Sequence, residues 1–333
     1  MAAPTALKRR LAQAGQVALT VGVLFWLFRD AGKREMMFQT LRGAHASWLL
    51  LGLLVAGIGE IAGILRWRIF LRAQGIDAGF RTVTRWFFVG LFFNMFLPGT
   101  TGGDMARLYY LWRDYPAHRR GAFLTLVADR LIGLIPLILA AALGTALNYK
   151  WLTQTTATSS LLFSTLLFCA GMAAVIALSF LYSGKSEIPR WVPAREKLGG
   201  LARAWGLFTR DGSQFTWALL LSMPVLFAYY GGFYCAARAV SAGASFAQIF
   251  TLMPIVTIIT SLPISVAGLG LREGLFERLL GDLCGTPPEV ASLVSLLGFL
   301  IFTVYGVIGA GVYLMSGRME KRRLDEMETA LKT

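Results

Sequence analysis

Two short stretches of this chain repeat one arrangement of residues able to bind an anion. The first runs Leu97-Pro98-Gly99-Thr100-Thr101-Gly102-Gly103-Asp104-Met105-Ala106-Arg107 and the second Leu262-Pro263-Ile264-Ser265-Val266-Ala267-Gly268-Leu269-Gly270-Leu271-Arg272-Glu273. Both open on Leu-Pro, place a glycine five residues after the proline and an arginine nine after it. Proline ends a helix, glycines let the backbone turn, and the chain can then restart as a second helix whose free N–H groups favour negative charge. An arginine near that restart offers a planar fork for a phosphate. The bland reading is that Asp104 caps its helix and Arg107 meets phosphates at the membrane surface.

Ionisable residues inside apolar runs extend the candidate set, because a charge in hydrocarbon costs a few kcal/mol on insertion scales. Glu60 lies mid-run among Gly57, Gly59 and Gly63, which allow close helix approach, and Asp129-Arg130 lies early in another run. The expected substrate-binding residues are Asn94, Gly102, Gly103, Asp104, Arg107, Arg130, Gly268, Gly270, Arg272 and Glu273, with Glu60 and Asp129 as a proton or charge relay. Four carboxylates (Glu60, Asp104, Asp129, Glu273) and three arginines (Arg107, Arg130, Arg272) are expected to form one interior cluster. The competing reading is a salt-bridge set that only fixes helix register.

The elements that must hold these groups are membrane helices. The 333 residues are 56% hydrophobic and 15% charged, with a mean hydropathy of +0.60, far more apolar than a soluble domain. Six runs are long enough to span: Leu11 to Phe28, Trp48 to Leu71, Phe123 to Leu147, Leu161 to Tyr182, Phe215 to Ala237 and Val290 to Leu314. Trp86 to Leu97 would rise only roughly 18 Å as a helix before Pro98, and Phe246 to Leu262 stops in the same way at Pro263. Each is followed by a second short amphipathic stretch, Met105 to Trp112 and Leu271 to Leu283, the pattern of a re-entrant hairpin whose broken backbone must be covered by protein or face a water-filled cavity.

The formal charge of +14 fits membrane topology better than nucleic-acid binding, since the basic residues lie between apolar runs and form no binding module. With the N-terminus inside and each hairpin returning to its own side, 23 of the 32 lysines and arginines fall in cytoplasmic segments. Both termini are therefore expected in the cytoplasm of a bacterial inner (plasma) membrane. The basic start of the chain, Lys8-Arg9-Arg10, lacks a convincing cleavage site and is read as leading an uncleaved first helix. The expectation is a single all-α polytopic membrane domain over residues 1–333. Its first repeat covers 48–147 with hairpin 85–113, and its second, inverted, covers 215–314 with hairpin 246–283. A cytoplasmic amphipathic linker, 183–212, joins the two. Inverted repeats with interrupted helices in corresponding positions mark transporters that bind substrate near the midplane.

At these residues the chain resembles the lysylphosphatidylglycerol synthase transmembrane region, or flippase-like, family. The likeness rests on Asn94-x3-Pro98-Gly99-x2-Gly102-Gly103-Asp104-x2-Arg107, on Asp129-Arg130 and on Pro263-x4-Gly268-x-Gly270-x-Arg272-Glu273, and it covers the second span through the sixth. Membership implies movement of phospholipids or lipid-linked intermediates between leaflets. Fewer than 20 residues follow the last span, too few for the cytoplasmic aminoacyltransferase domain that the bifunctional members append, so aminoacyl-lipid synthesis is not expected of this chain.

The expected partners are membrane lipids with anionic headgroups, and beyond them a second copy of the chain or a lipid-biosynthetic enzyme. No nucleic acid, cofactor or metal is expected. Cys169, Cys235 and Cys284 lack metal-ligand spacing, and neither a P-loop nor a nucleophile elbow occurs. A transporter is thus expected over an enzyme. A membrane-embedded lipid-modifying enzyme and a non-catalytic subunit of a lipid- or glycan-biosynthetic enzyme are the rival readings.

Overall fold

A computed structural model describes residues 29–96, 101–181, 212–262 and 265–332, together with Gly22 and Phe25, with side chains placed up to Ser316. All of the expected first span but Gly22 and Phe25, together with Pro98, Gly99, Pro263 and nearly all of the 183–212 linker, lies outside the described residues. Within them the chain is helical, with no strand. Five helices are long and apolar enough to cross a membrane, matching five of the six expected spans.

In chain order the helices are α1 (Ala31–Arg42), α2 (Ala46–Ala73), α3 (Phe80–Phe96), α4 (Thr101–Asp114), α5 (Arg119–Leu152), α6 (Thr156–Leu181), α7 (Gly212–Ala239), α8 (Phe246–Ser261), α9 (Leu271–Cys284) and α10 (Pro288–Lys332). The spans are α2, α5, α6, α7 and the apolar part of α10. Their outward faces are those of a protein solvated by hydrocarbon: on α2, Leu50, Leu54, Ile58, Ile61 and Leu65 are exposed at steps of three and four residues. The opposite face of α2 buries Gly59, Ala62, Gly63, Arg66, Trp67 and Phe70.

Each expected hairpin region holds a pair of short helices; α3, α4 and α9 are longer than the apolar runs alone indicate, while α8 ends one residue short of its run. The leg α3 begins at Phe80 and α4 continues to Asp114, because polar residues near the membrane surface carry the helical pattern past the apolar ends. At the second hairpin, Ser245 and Gln248 form a reciprocal capping box that starts α8. Between α8 and α9 the chain turns through a short 3-10 helix, Val266–Gly268, with positive φ at Ala267 (51°), Gly268 (73°) and Gly270 (81°). Such angles are natural for glycine, and the conformation explains the two glycines of the motif.

Packing between the halves is reciprocal. The first span of each half, α2 and α7, forms the most extensive helix pair. The leg α3 of the first hairpin packs on α10, the closing span of the second half, while the leg α8 of the second hairpin packs on α5, the closing span of the first. The turn Val266–Gly268 also meets α3, so the break of the second hairpin touches the first.

One element was not anticipated. The region after Arg29, read as an outer loop, holds α1, whose start is capped by the Asp30 carboxylate accepting from the backbone N–H groups of Gly32 and Lys33.

Candidate functional site

The first hairpin is held closed by the absence of side chains. A Cβ added at Gly103 on α4 would collide with the Gly90 carbonyl of α3, and one added at Gly90 would lie 2.7 Å from Arg107 Nε. The two legs therefore touch through glycine backbone. The Gly103 N–H donates to Asn94 Oδ1 at 2.7 Å. Asn94 thus satisfies one of the orphan amides that the start of a helix leaves. Gly102 and Gly103 are both buried in that first turn.

Arg107 follows one turn further on and is 6% exposed. Its guanidinium carbon lies 4.1 Å from the centre of the Phe87 ring and 5.2 Å from that of Trp67, an arrangement that partly compensates a desolvated cation. No side-chain ion pair within contact distance reaches it among the described residues, and its Nε has no hydrogen-bond partner. Such an orphan is costly, because a buried donor without an acceptor loses its water without recompense. The bland reading, in which Arg107 meets phosphates at the membrane surface, therefore gives way to a buried arginine.

Around Arg107 stand Asp129, Asp104, Arg130 and Glu60, all close enough to act on it electrostatically. Three of these four are already spoken for. Arg130 donates from Nε and Nη2 to Asp104 Oδ2 at 2.9 and 2.7 Å. Asp129 Oδ1 accepts from Arg66 Nε at 2.8 Å, and Arg66 Nη1 donates to Ser222 Oγ at 3.0 Å. Only the half-buried Glu60 carboxylate has no hydrogen-bond or ion-pair partner among the described residues. Tyr305 of α10 lies close enough to feel its charge, but its hydroxyl donates to the Leu53 carbonyl at 2.6 Å.

The second hairpin carries the corresponding arginine in a different state. Arg272 is 4% exposed and Glu273 fully buried. Arg272 Nε donates to Ser295 Oγ at 3.1 Å, Ser295 Oγ donates to Glu273 Oε1 at 2.8 Å, and Arg272 Nη2 lies 3.6 Å from that same oxygen. The other Glu273 oxygen accepts from the Gly270 N–H at 2.5 Å. The start of α9 is thereby capped by its own glutamate. Gly268 lies buried in the preceding turn, where a Cβ would meet the Thr260 side chain at 3.1 Å.

The expected single cluster is therefore divided in two. Glu60, Asp104, Arg107, Asp129 and Arg130 assemble around the first hairpin. Arg272 and Glu273 form a separate group with Ser295, and no hydrogen bond or ion pair joins the groups among the described residues. Arg66 was counted as a cytoplasmic charge and belongs instead to the first group. Its signal was present in the sequence, since it lies four residues after Ala62 and seven after Gly59, on the small-residue face of α2. Lys33, Glu277 and Ser292 were also missed. They join α1 to α9 and α10 through a Lys33–Glu277 ion pair and a Ser292–Glu277 hydrogen bond. Among the described residues no group of histidine, cysteine, aspartate and glutamate could hold a metal ion.

Residues 13–311 match the family model described as the lysylphosphatidylglycerol synthase TM region. The chain belongs to that family. A UPF0104 membrane protein of Methanothermobacter thermautotrophicus is 23% identical over 325 residues, 89% of this chain and 92% of the relative. Another match, to a UPF0104 membrane protein of Pyrococcus horikoshii, is 28% identical over 127 residues, 37% of this chain and 36% of that one. A further match to a UPF0104 membrane protein of Methanothermobacter thermautotrophicus, 31% identical over 132 residues, spans 39% of each chain. The first of these matches takes in nearly the whole relative, and the other two little more than a third of theirs.

Proposed function

We propose that this protein moves a phospholipid, or a lipid-linked intermediate with an anionic headgroup, between the leaflets of a plasma membrane. The observation that carries the reading is the buried Arg107 on the first hairpin, with no ion-pair or hydrogen-bond partner among the described residues, while the half-buried Glu60 of α2 stands close enough to act on it electrostatically. A guanidinium kept dry and unpaired inside a bundle is ready to take a phosphate, because the incoming oxygens supply the acceptors that the protein withholds. The reciprocal packing of the two hairpins against each other's closing spans supports an inverted repeat, the arrangement in which rocking of one half opens a central site alternately to either side. In this reading both termini are cytoplasmic. The sequence carries no ATP-binding motif, so transport is passive, ion-coupled or drawn by lipid metabolism.

Purified protein in liposomes with a fluorescent phospholipid tests the reading. Lipid movement, followed by chemical quenching of the outer-leaflet label, should exceed that of protein-free vesicles and fall at least about tenfold in Arg107→Gln, the loss expected when a charge-assisted hydrogen bond worth about 1.5–3 kcal/mol disappears. Covalent conversion of the lipid would instead identify an enzyme. Normal cellular activity with Arg107, Arg272, Glu60 and Glu273 all neutralised, at normal expression, would point to a non-catalytic subunit of a biosynthetic enzyme.

A further inference from the structure

The charges around the first hairpin form two closed pairs and one open pair. Arg130 closes on Asp104 and Arg66 closes on Asp129. Arg107 lies over the Phe87 ring, and that ring packs against Gly63, one turn after Glu60 on α2; the two charges act on each other electrostatically but make no contact ion pair among the described residues. Six ionisable groups, three of each sign, thus leave one cation and one anion apart, each lacking a hydrogen-bonded partner. A purely anionic ligand would satisfy Arg107 while adding a second negative charge close to Glu60. In a low-dielectric interior that is a strongly unfavourable neighbour.

We propose that the headgroup taken by this site is zwitterionic: a phosphate diester that binds Arg107, carrying a tethered primary ammonium that binds Glu60. The inference rests on the lipid-site reading above and names its substrate class. A phosphoethanolamine-type headgroup bridges the open pair, makes two charge-assisted contacts and leaves the net charge of the site unchanged. An ammonium with N–H donors is required, because Glu60 lacks a hydrogen-bond donor among the described residues and a bare positive charge would not supply one. The second hairpin offers no such separated pair: Arg272 and Glu273 each bond Ser295, and the unbonded Arg272 Nη2 already lies 3.6 Å from Glu273 Oε1.

The test compares short-chain phosphatidylethanolamine with short-chain phosphatidylglycerol, measured by native mass spectrometry on the full chain in detergent, with glycerophosphoethanolamine as the acyl-free probe. The wild-type protein should bind the ethanolamine lipid at least about tenfold more tightly than the glycerol lipid. Glu60→Gln, which keeps the side-chain shape, should reverse that order, because Arg107 is then left as the surplus charge. Arg107→Gln should weaken both lipids. If the wild type prefers the glycerol lipid, or if Glu60→Gln leaves the ratio unchanged, the zwitterion proposal falls while a phosphate site at Arg107 stands. Equal affinity for the acyl-free probe and the lipid would also overturn it, in favour of a soluble ligand. If Arg107→Gln alters neither lipid, the lipid site itself falls.

Discussion

The Arg66–Asp129 and Arg107–Glu60 pairs occupy neighbouring ground and behave differently when cut. Arg66 is bound on two sides, by Asp129 and Ser222, so removing either partner strands a buried charge. Asp129→Asn should therefore lower stability by about 3–5 kcal/mol, the usual cost of breaking a buried pair, read as a drop in unfolding temperature in detergent. The double variant Arg66→Met, Asp129→Leu should recover most of the loss, because it removes both charges. Glu60→Gln, by contrast, should leave the unfolding temperature nearly unchanged, since no hydrogen bond to Glu60 is broken. At this scale the sequence was half legible. Residue type alone placed Glu60, Arg107 and Asp129 inside, because a charge in an apolar run stands out. It could not assign partners, since a pairing such as Arg66 with Asp129 links residues 63 apart across two helices. Ser222 and Ser295 gave no signal at all, being common in membrane helices.

The helix pairs depend on glycine at the points of closest approach. Gly103 against Gly90 closes the first hairpin, and Gly309 of α10 sits over the Phe88 backbone of α3. A methyl at either position meets backbone that cannot rotate away. Gly103→Ala and Gly309→Ala should each cost about 1–3 kcal/mol, the range for overpacking. Gly171→Ala on α6, where a Cβ would have nothing within 4 Å, should be neutral or slightly stabilising through helix propensity. Unfolding temperatures of the three variants, measured side by side, check the contrast. The existence of the hairpins was readable from Pro98, Pro263 and the glycines after them, because a proline stop and a positive-φ turn leave local marks. Their lengths were not, as α3 extends from Phe80 through Arg81 and Arg85, where hydropathy falls although the helix continues. The helix α1 was hidden for the same reason: AGKREMMFQTLR is too polar to register as a span, and its docking to α9 rests on Lys33 meeting Glu277 far along the chain.

For the whole molecule the remaining question is direction, because reciprocal packing describes which helices touch and not which side each hairpin faces. The charge count bears on this. Setting aside Arg130, which lies within α5, and removing Arg66, Arg107 and Arg272, which are buried and report nothing about loops, leaves 21 basic residues on the proposed cytoplasmic side and seven on the other. The bias survives its correction. It predicts that the first hairpin opens to the cytoplasm and the second to the outside. Two single-cysteine variants decide the matter in a background with Cys169, Cys235 and Cys284 replaced: Arg113→Cys, near the end of α4, and Arg278→Cys, on the exposed face of α9. Neither position takes part in the proposed site, and the ion pairs they form with Asp114 and Asp282 are local and near the surface, worth little to stability. In intact spheroplasts a membrane-impermeant maleimide should label the Arg278→Cys variant and leave the Arg113→Cys variant untouched until the membrane is opened. Labelling of both from one side would remove the inverted repeat and the alternating-access mechanism built on it. The five spans, and the pairing of charges around Arg107, would not depend on the result.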